Sequence, residues 1–464
     1  MLIPGHMDVA SKLPDLLGPL LQKKHAATGA SSTLVELATQ WTNPTDVTSI
    51  LMVIGGDVVQ KALAQTTGNW FTPVCFSFGW VAYAFTTLVN VIGDGRLLPP
   101  PDYPVKVINV ESGHSRENKN WVVGRIVRDT TAWIAKQEPL NENGIRITIF
   151  EAENNPNKPT SFSYSRLHLY GALIMILQLC VAGIPIILDQ EWGILFITGM
   201  GTLLALISGS LPQWRAEKLP NKQTSRKTIA LTAGNGSKDI MIVKGAGRCL
   251  DLEELAVNAS PRGAVPWLKF VQNIPPAASN EFELTRSQSN LRMTPMWGSV
   301  PRSFWVTRCV CTLQSVMWLL LLINVAGPKV NTWFLLAVGA IGMFQNAVLA
   351  AVERPSHHRN LPLRAVETIV TSKVMDGLMD LEVVHGWGAP LLREFFQGRL
   401  RDDEKDWWDG KRRCYDDRRS REKHARGPPS KPRHYESRTA HPEIIGAREQ
   451  ETDSSPANSP VDSY

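Results

Sequence analysis

Charge is nearly absent between His168 and Leu211, where only Asp189 and Glu191 interrupt two arms of about 20 mostly apolar residues each. That absence excludes a helix lying free in water. At 1.5 Å of rise per residue each arm spans a hydrocarbon core of roughly 30 Å. The break is too short for anything but antiparallel neighbours, so 168–188 and 192–211 read as a membrane hairpin with Arg166 and Arg215 on one side of the bilayer. Catalytic signatures are missing as well: there is no HExxH, Walker loop, Cys-x-x-Cys or G-x-S-x-G elbow. No catalytic residue, metal or cofactor is expected. The six cysteines lack zinc or disulfide-framework spacing and read as small buried hydrophobes. The net charge of +6 is mild and interspersed with acidic residues, which argues against a nucleic-acid partner. A cleaved signal pattern is lacking too, and insertion through the first membrane helix is expected.

What is present is a threefold alternation of apolar and polar blocks. Residues 46–93 read as a first hairpin, with helices over 47–65 and 70–93, and 303–352 as a third, with helices over 304–327 and 332–352. The expected fold is therefore an α-helical polytopic membrane protein of six transmembrane helices in three hairpins. Each hairpin break ends at a tryptophan, Trp70, Trp192 or Trp333, a residue that favours the membrane–water interface. Glycines follow inside the helix each time, at Gly79, at Gly199 and Gly201, and at Gly339 and Gly342, marking faces for close helix packing.

Basic residues set the expected sidedness. The three breaks hold a single one, Lys329, whereas Arg166, Arg215, Lys218, Arg302, Arg354 and Arg359 flank the other helix ends. The positive-inside rule then makes the bulk of the soluble chain cytoplasmic. Residues 1–45 form an N-terminal cytoplasmic segment. The loop 94–167 reads as strand, helix, strand, with strands over 105–110 and 145–153. The loop 212–302 carries a β-hairpin over 228–245 around Asn235-Gly236, a strong turn signal. These two loops are expected to co-fold into one α+β domain. A charged helical region is expected over 353–424, with one helix over 361–384 and another over 389–423, before a disordered tail over 425–464.

The candidate site rests on polar groups inside the membrane windows: Asp57, Gln60, Lys61 and Gln65 of the first helix, Gln178, Arg308, Gln314, Gln345 and Asn346. Ionisable groups at bilayer depth cost roughly 2.5–3.5 kcal/mol each on insertion scales. They either line a solute path or bond between helices, and Asp57 and Lys61 have the spacing of an ion pair on one helix face.

Asn43 to Arg128, through GGDVVQKALAQ, GDGRLLPPPDYPVKV and ENKNWVVGRIVRD, resembles a family of multi-pass membrane proteins from filamentous fungi, as does LTAGNGSKDIMIVKGAGRCLDLEELA. The resemblance implies a source and a topology and supplies no mechanism. The functional expectation is a non-enzymatic membrane scaffold or regulator with a cytoplasmic partner-binding domain, its partners being the bilayer and cytoplasmic proteins. A small-solute or ion transporter using the polar residues of helices one, three, five and six is the alternative.

Overall fold

The computed structural model describes residues 55–137, 139–140, 144–153, 164–220, 224–247, 249–257, 261–263, 296–297, 300–325 and 331–426. The expectations for 1–45 and for most of the tail lie outside them. In chain order the elements are α1 (Gly56–Thr66), α2 (Trp80–Gly93), β1 (Lys106–Asn109), β2 (Ser115–Glu117), α3 (Trp121–Gln137) and β3 (Ile145–Ala152). Next come α4 (Arg166–Asp189), α5 (Gly193–Gly209), α6 (Pro212–Lys218), β4 (Thr228–Thr232), β5 (Asp239–Lys244) and α7 (Leu252–Val257). A two-residue ribbon of β6 (Met296–Trp297) and β7 (Val300–Pro301) precedes α8 (Arg302–Val325) and α9 (Thr332–Ala351). The chain closes with β8 (Leu363–Thr371), α10 (Val374–His385), α11 (Gly388–Phe395), α12 (Asp402–Trp408) and α13 (Arg413–Arg426).

Among the described residues three helices, α4, α8 and α9, are long and apolar enough to cross a membrane, and α5 with α6, bent by 40° at their junction, makes a fourth if the pair counts as one. Their outward faces carry exposed Leu173, Ile187, Phe196, Leu313 and Phe344. A coat of that kind has no place in water and suits hydrocarbon. Both hairpins begin and end at the face of the bundle where the sheet sits, and at the far end Asn331 donates to Asp189 (2.7 Å), tying the two hairpin tips together.

The first apolar block departs from the expected pair of spanning helices. α1 has 11 residues and α2 has 14, about 21 Å at most, and 67–79 between them is not helical. The helix expected over 70–93 starts only at Trp80, because Pro73 cannot donate to a helical ladder and Thr72, Cys75 and Ser77 make tertiary bonds instead. Of the helix expected over 47–65, the described part begins at Gly56. Among the described residues, then, the six expected spans come down to two long apolar hairpins and a broken segment.

The sheet has six strands in the order β2-β1-β4-β5-β3-β8, mixed because β3 and β5 run parallel while every other pair is antiparallel. Strands from 106–152, from 228–244 and from 363–371 share it, so the α4–α5 hairpin and the α8–α9 hairpin are both insertions within one sheet. β4 and β5 turn at Asn235-Gly236, where Gly234 and Gly236 take φ of +91° and +88°. Strand alternation sends Val107, Phe150, Leu231 and Met241 toward α3 and the bundle, in one core that continues to Trp80 and Trp318. The other face, with Ile108, Ile147, Ala230 and Ile242, is covered by Leu378 and Leu381 of α10 and Leu391 and Phe395 of α11.

Two C-terminal expectations are corrected. The helix expected over 361–384 is a strand, β8, followed by α10. Val366, Thr368, Ile369, Val370 and Thr371 are β-branched, which suits a pleated edge better than a helix, and β3 offers a partner over eight residue pairs. The helix expected over 389–423 is broken into α11, α12 and α13, with Gly410 at φ +100° between the last two.

Candidate functional site: an extended segment clamped inside the bundle

α1 runs toward the sheet, where Gln65 donates to Val352 O (2.9 Å) at the end of α9. The chain reverses through Gly68 (φ +131°) and descends again as an extended stretch over 71–77 that ends in a turn at 78–79. Contacts fix its course along α9. Cys75 meets Asn346, Phe76 meets Gly342 and Phe78 meets Gly339. Gly339 lies 13 residues from Val352, so the stretch reaches about 20 Å into the bundle. α2 then climbs back beside α8, with Ala84 O accepting from Ser315 and Val91 O accepting from Arg308. Gly55 and Gly79, which precede α1 and α2, touch: a Cβ on Gly79 would lie 2.6 Å from the Gly55 carbonyl. Two short helices therefore start side by side at mid-depth and both point at the sheet.

Extended backbone in a dry bundle has no strand beside it and needs side-chain partners. Asn346 supplies both kinds of bond: its Oδ1 accepts from Cys75 N–H (2.9 Å), and its Nδ2 donates to Cys75 O (2.9 Å) and to Ser77 Oγ (3.2 Å). Gln178 donates from Nε2 to Phe76 O (2.9 Å) and to Val338 O (2.7 Å). Trp80 Nε1 adds a bond to Cys75 O (2.8 Å), and Thr72 donates to Gly209 O (3.1 Å). Asn346 and Gln178 are fully buried.

Glycines make the room. A Cβ on Gly342 would lie 1.8 Å from Phe76 O, one on Gly339 2.0 Å from the Phe78 ring, one on Gly201 2.2 Å from the Phe76 ring, and one on Gly171 2.3 Å from Pro73. Of the glycines singled out for helix packing, Gly201, Gly339 and Gly342 thus admit the extended stretch, Gly79 packs on Gly55, and Gly199 faces open space.

The structure divides the other sequence candidates. Gln314 accepts from Ser208 (2.8 Å) and donates to Leu204 O (3.3 Å), bonding α8 to α5. Arg308 reaches Val91 O and Ile92 O at the end of α2 and lies over the Phe304 and Trp305 rings. Gln345 is buried on α9. Gln60 is buried and its Nε2 has no hydrogen-bond partner. Asp57 and Lys61 stand apart from this cluster as a 3.4 Å pair on α1 whose carboxylate is 81% exposed. The three tryptophans are exposed, but they do not share one level. Trp192 and Trp333 open α5 and α9 at the far end, whereas Trp70 sits at the sheet end, where α1 has just finished and Thr67 and Thr72 meet Lys218 and Gly209.

A second arrangement collects where the bundle helices finish at the sheet. Lys218 donates to Thr67 O (2.5 Å), Arg354 to Gln65 O, and Arg125 to Ala350 O (3.0 Å). Each cation caps the carbonyl end of a helix, where the dipole is negative. Asp129 binds the set together, accepting from Arg359 (2.6 Å) and from the Arg354 N–H (3.1 Å). Burial lowers the Arg359 pKa while Asp129 opposes that shift. Burial, with His357 and Arg354 as neighbours, pushes His358 down to about 3, so it is neutral near pH 7. Sequence reading saw these residues only as a charge count. Their capping role depends on where α1, α3 and α9 end relative to one another, which no local pattern encodes.

Among the described residues no group of three or more His, Cys, Asp or Glu side chains is placed to hold a metal ion. The chain matches no protein-family model, no curated protein and no solved structure.

Proposed function

We propose that this chain is a membrane-embedded scaffold or regulator, of the fungal membrane-protein family its sequence blocks resemble, whose α+β module binds protein partners in the cytoplasm. One observation carries the reading: Asn346, Gln178, Gln314 and Arg308 bond the protein's own backbone and side chains, so these four of the polar groups that a solute path would draw on are already engaged. The module also offers a surface for a partner. β8 is an edge strand with Val366 and Val370 exposed, and Val383 and Val384 of α10 are exposed. The basic residues at the sheet end support a cytoplasmic module by the positive-inside rule. The test pairs affinity capture with flux. The intact chain in nanodiscs should retain a stoichiometric partner that Val370→Lys releases, and in liposomes it should pass no more solute than empty vesicles. Glycosylation at Asn235 in cells would overturn the cytoplasmic placement.

A second reading, a path for a small uncharged solute, is favoured by non-helical backbone at mid-bundle, which membrane proteins keep where it is buried or lines a cavity. Solute flux into vesicles above the empty control, abolished by Thr87→Trp beside the broken segment, would decide for it.

A further inference from the structure

The polar atoms of the bundle are satisfied by protein with a few exceptions, and two of these share one place. α2, α5 and α8 enclose a small cleft lined by Tyr83, Thr87, Ser208, Gln314 and Trp318, with Cys311 among its apolar walls. Thr87 Oγ1 and Trp318 Nε1 are buried with no hydrogen-bond partner, and the two residues are 4% and 1% exposed. The Trp318 ring is fixed by stacking on Trp80 (5.4 Å between centroids) and Phe76 (6.2 Å), so its N–H cannot turn to another acceptor without unstacking. Ser208 and Gln314 already bond one another and Leu204 O, and the Tyr83 hydroxyl lies beside Thr87, so the indole N–H is the donor with no acceptor in reach and the threonine hydroxyl faces the cleft with bonding capacity to spare. No charged side chain lines the cleft. Leaving two such donors dry is costly, because a buried unsatisfied group forfeits its whole hydration.

We propose that this cleft binds one water molecule, whose oxygen accepts from both the Thr87 hydroxyl and the Trp318 N–H and so joins the broken segment's return helix to α8. The site takes a neutral oxygen acceptor and rejects ions: nothing in it would neutralise a charge, and the space suits a single water. The proposal goes beyond the scaffold reading and stands whether or not the protein conducts solute.

Two measurements test it. Thermal unfolding of the full chain in detergent is compared for wild type, Thr87→Val, Trp318→Phe and the double variant. With a shared water, Thr87→Val lowers Tm, and the double variant loses clearly less than the two single losses together, because the second change removes a contact to a guest already gone. A rise in Tm for Thr87→Val, or losses that sum, overturns the proposal, since deleting an unpartnered hydroxyl from a dry cleft stabilises. A structure of the wild-type protein in nanodiscs at a resolution that shows ordered water should place density within hydrogen-bonding distance of Thr87 Oγ1 and Trp318 Nε1. An empty cleft there overturns it as well, and this arm holds even if Trp318→Phe fails to fold.

Discussion

Extended backbone is buried in two regions of this protein, and they are satisfied in opposite ways. β3 lies between β5 and β8, and its N–H and C=O groups bond neighbouring strands on both sides over nearly its whole length. The stretch 71–79 lies among α4, α5 and α9, helices whose own backbone groups are already used, so side chains must do the pairing. A strand in a sheet therefore tolerates most apolar side chains, whereas the clamped stretch depends on a few particular residues. Asn346 and Gln178 have to be amides, since each partner pair needs a donor at a defined place, and Gly339 and Gly342 have to lack a Cβ.

That contrast can be broken at the clamp first. Asn346→Leu strands the Cys75 N–H and removes the bonds to Cys75 O, which keeps only Trp80 Nε1, and to Ser77 Oγ; at about 1–3 kcal/mol for the orphaned N–H and about 1 kcal/mol for each lost bond it should cost roughly 3–5 kcal/mol or prevent folding. Chemical or thermal unfolding in detergent measures it, and a loss below about 1 kcal/mol would mean that the extended stretch does not need its clamp. A slightly smaller effect, about 3 kcal/mol, is expected for Asp129→Asn, which leaves Arg359 buried without its counter-charge; the same unfolding assay reports it. Glycine spacing comes next. Gly342→Ala should lose roughly 1–3 kcal/mol through the clash with Phe76 O, while Gly199→Ala, facing open space in the same bundle, should be neutral or slightly stabilising. Equal effects of the two would refute the assignment of the glycines.

The pH profile sharpens the picture at the sheet end. His358 binds its proton more weakly in the folded protein (about 3) than in an unfolded chain (6.5). Between those values the unfolded state holds more protons, so stability is full above pH 6.5 and is lost as pH falls toward 3. His358→Gln should flatten that part of a Tm-versus-pH curve and leave the curve above pH 7 unchanged. The smallest effect is expected at the exposed face of α1, where Lys61→Ala should change stability by less than about 0.5 kcal/mol, as for other solvent-reached pairs. A larger loss would show that Asp57 and Lys61 work in a buried setting.

Several elements were legible without coordinates because their signals are local. Charge-free runs marked α4, α8 and α9; Asn235-Gly236 marked the β4–β5 turn; and the segments 105–110 and 145–153 coincide with β1 and β3. β8 reads as helix because Leu363, Val366, Val370 and Val374 fall at helical spacing, although the β-branched run Thr368, Ile369, Val370 and Thr371 points to a strand. The candidate amides were visible as polar residues in apolar windows. Their partner was not, because 70–93 has the apolar composition of a spanning helix and only Pro73 hints at a break. Trp70 was assigned to the far end by analogy with Trp192 and Trp333, and that analogy failed once 67–79 proved to reverse at the sheet.

Sequence alone determined which segments leave water, since the transfer of apolar surface is nearly additive along the chain. It also determined which polar residues had to find a partner there. Tertiary structure decided what those partners are: the Cys75, Phe76 and Leu204 backbone groups, supplied by elements 102 to 271 residues away. It likewise decided that β1 to β5 and β8 form one sheet around two apolar helical hairpins. Hydrophobicity is a property of each residue, whereas hydrogen bonds between distant segments exist only once the fold has brought donor and acceptor to within about 3 Å.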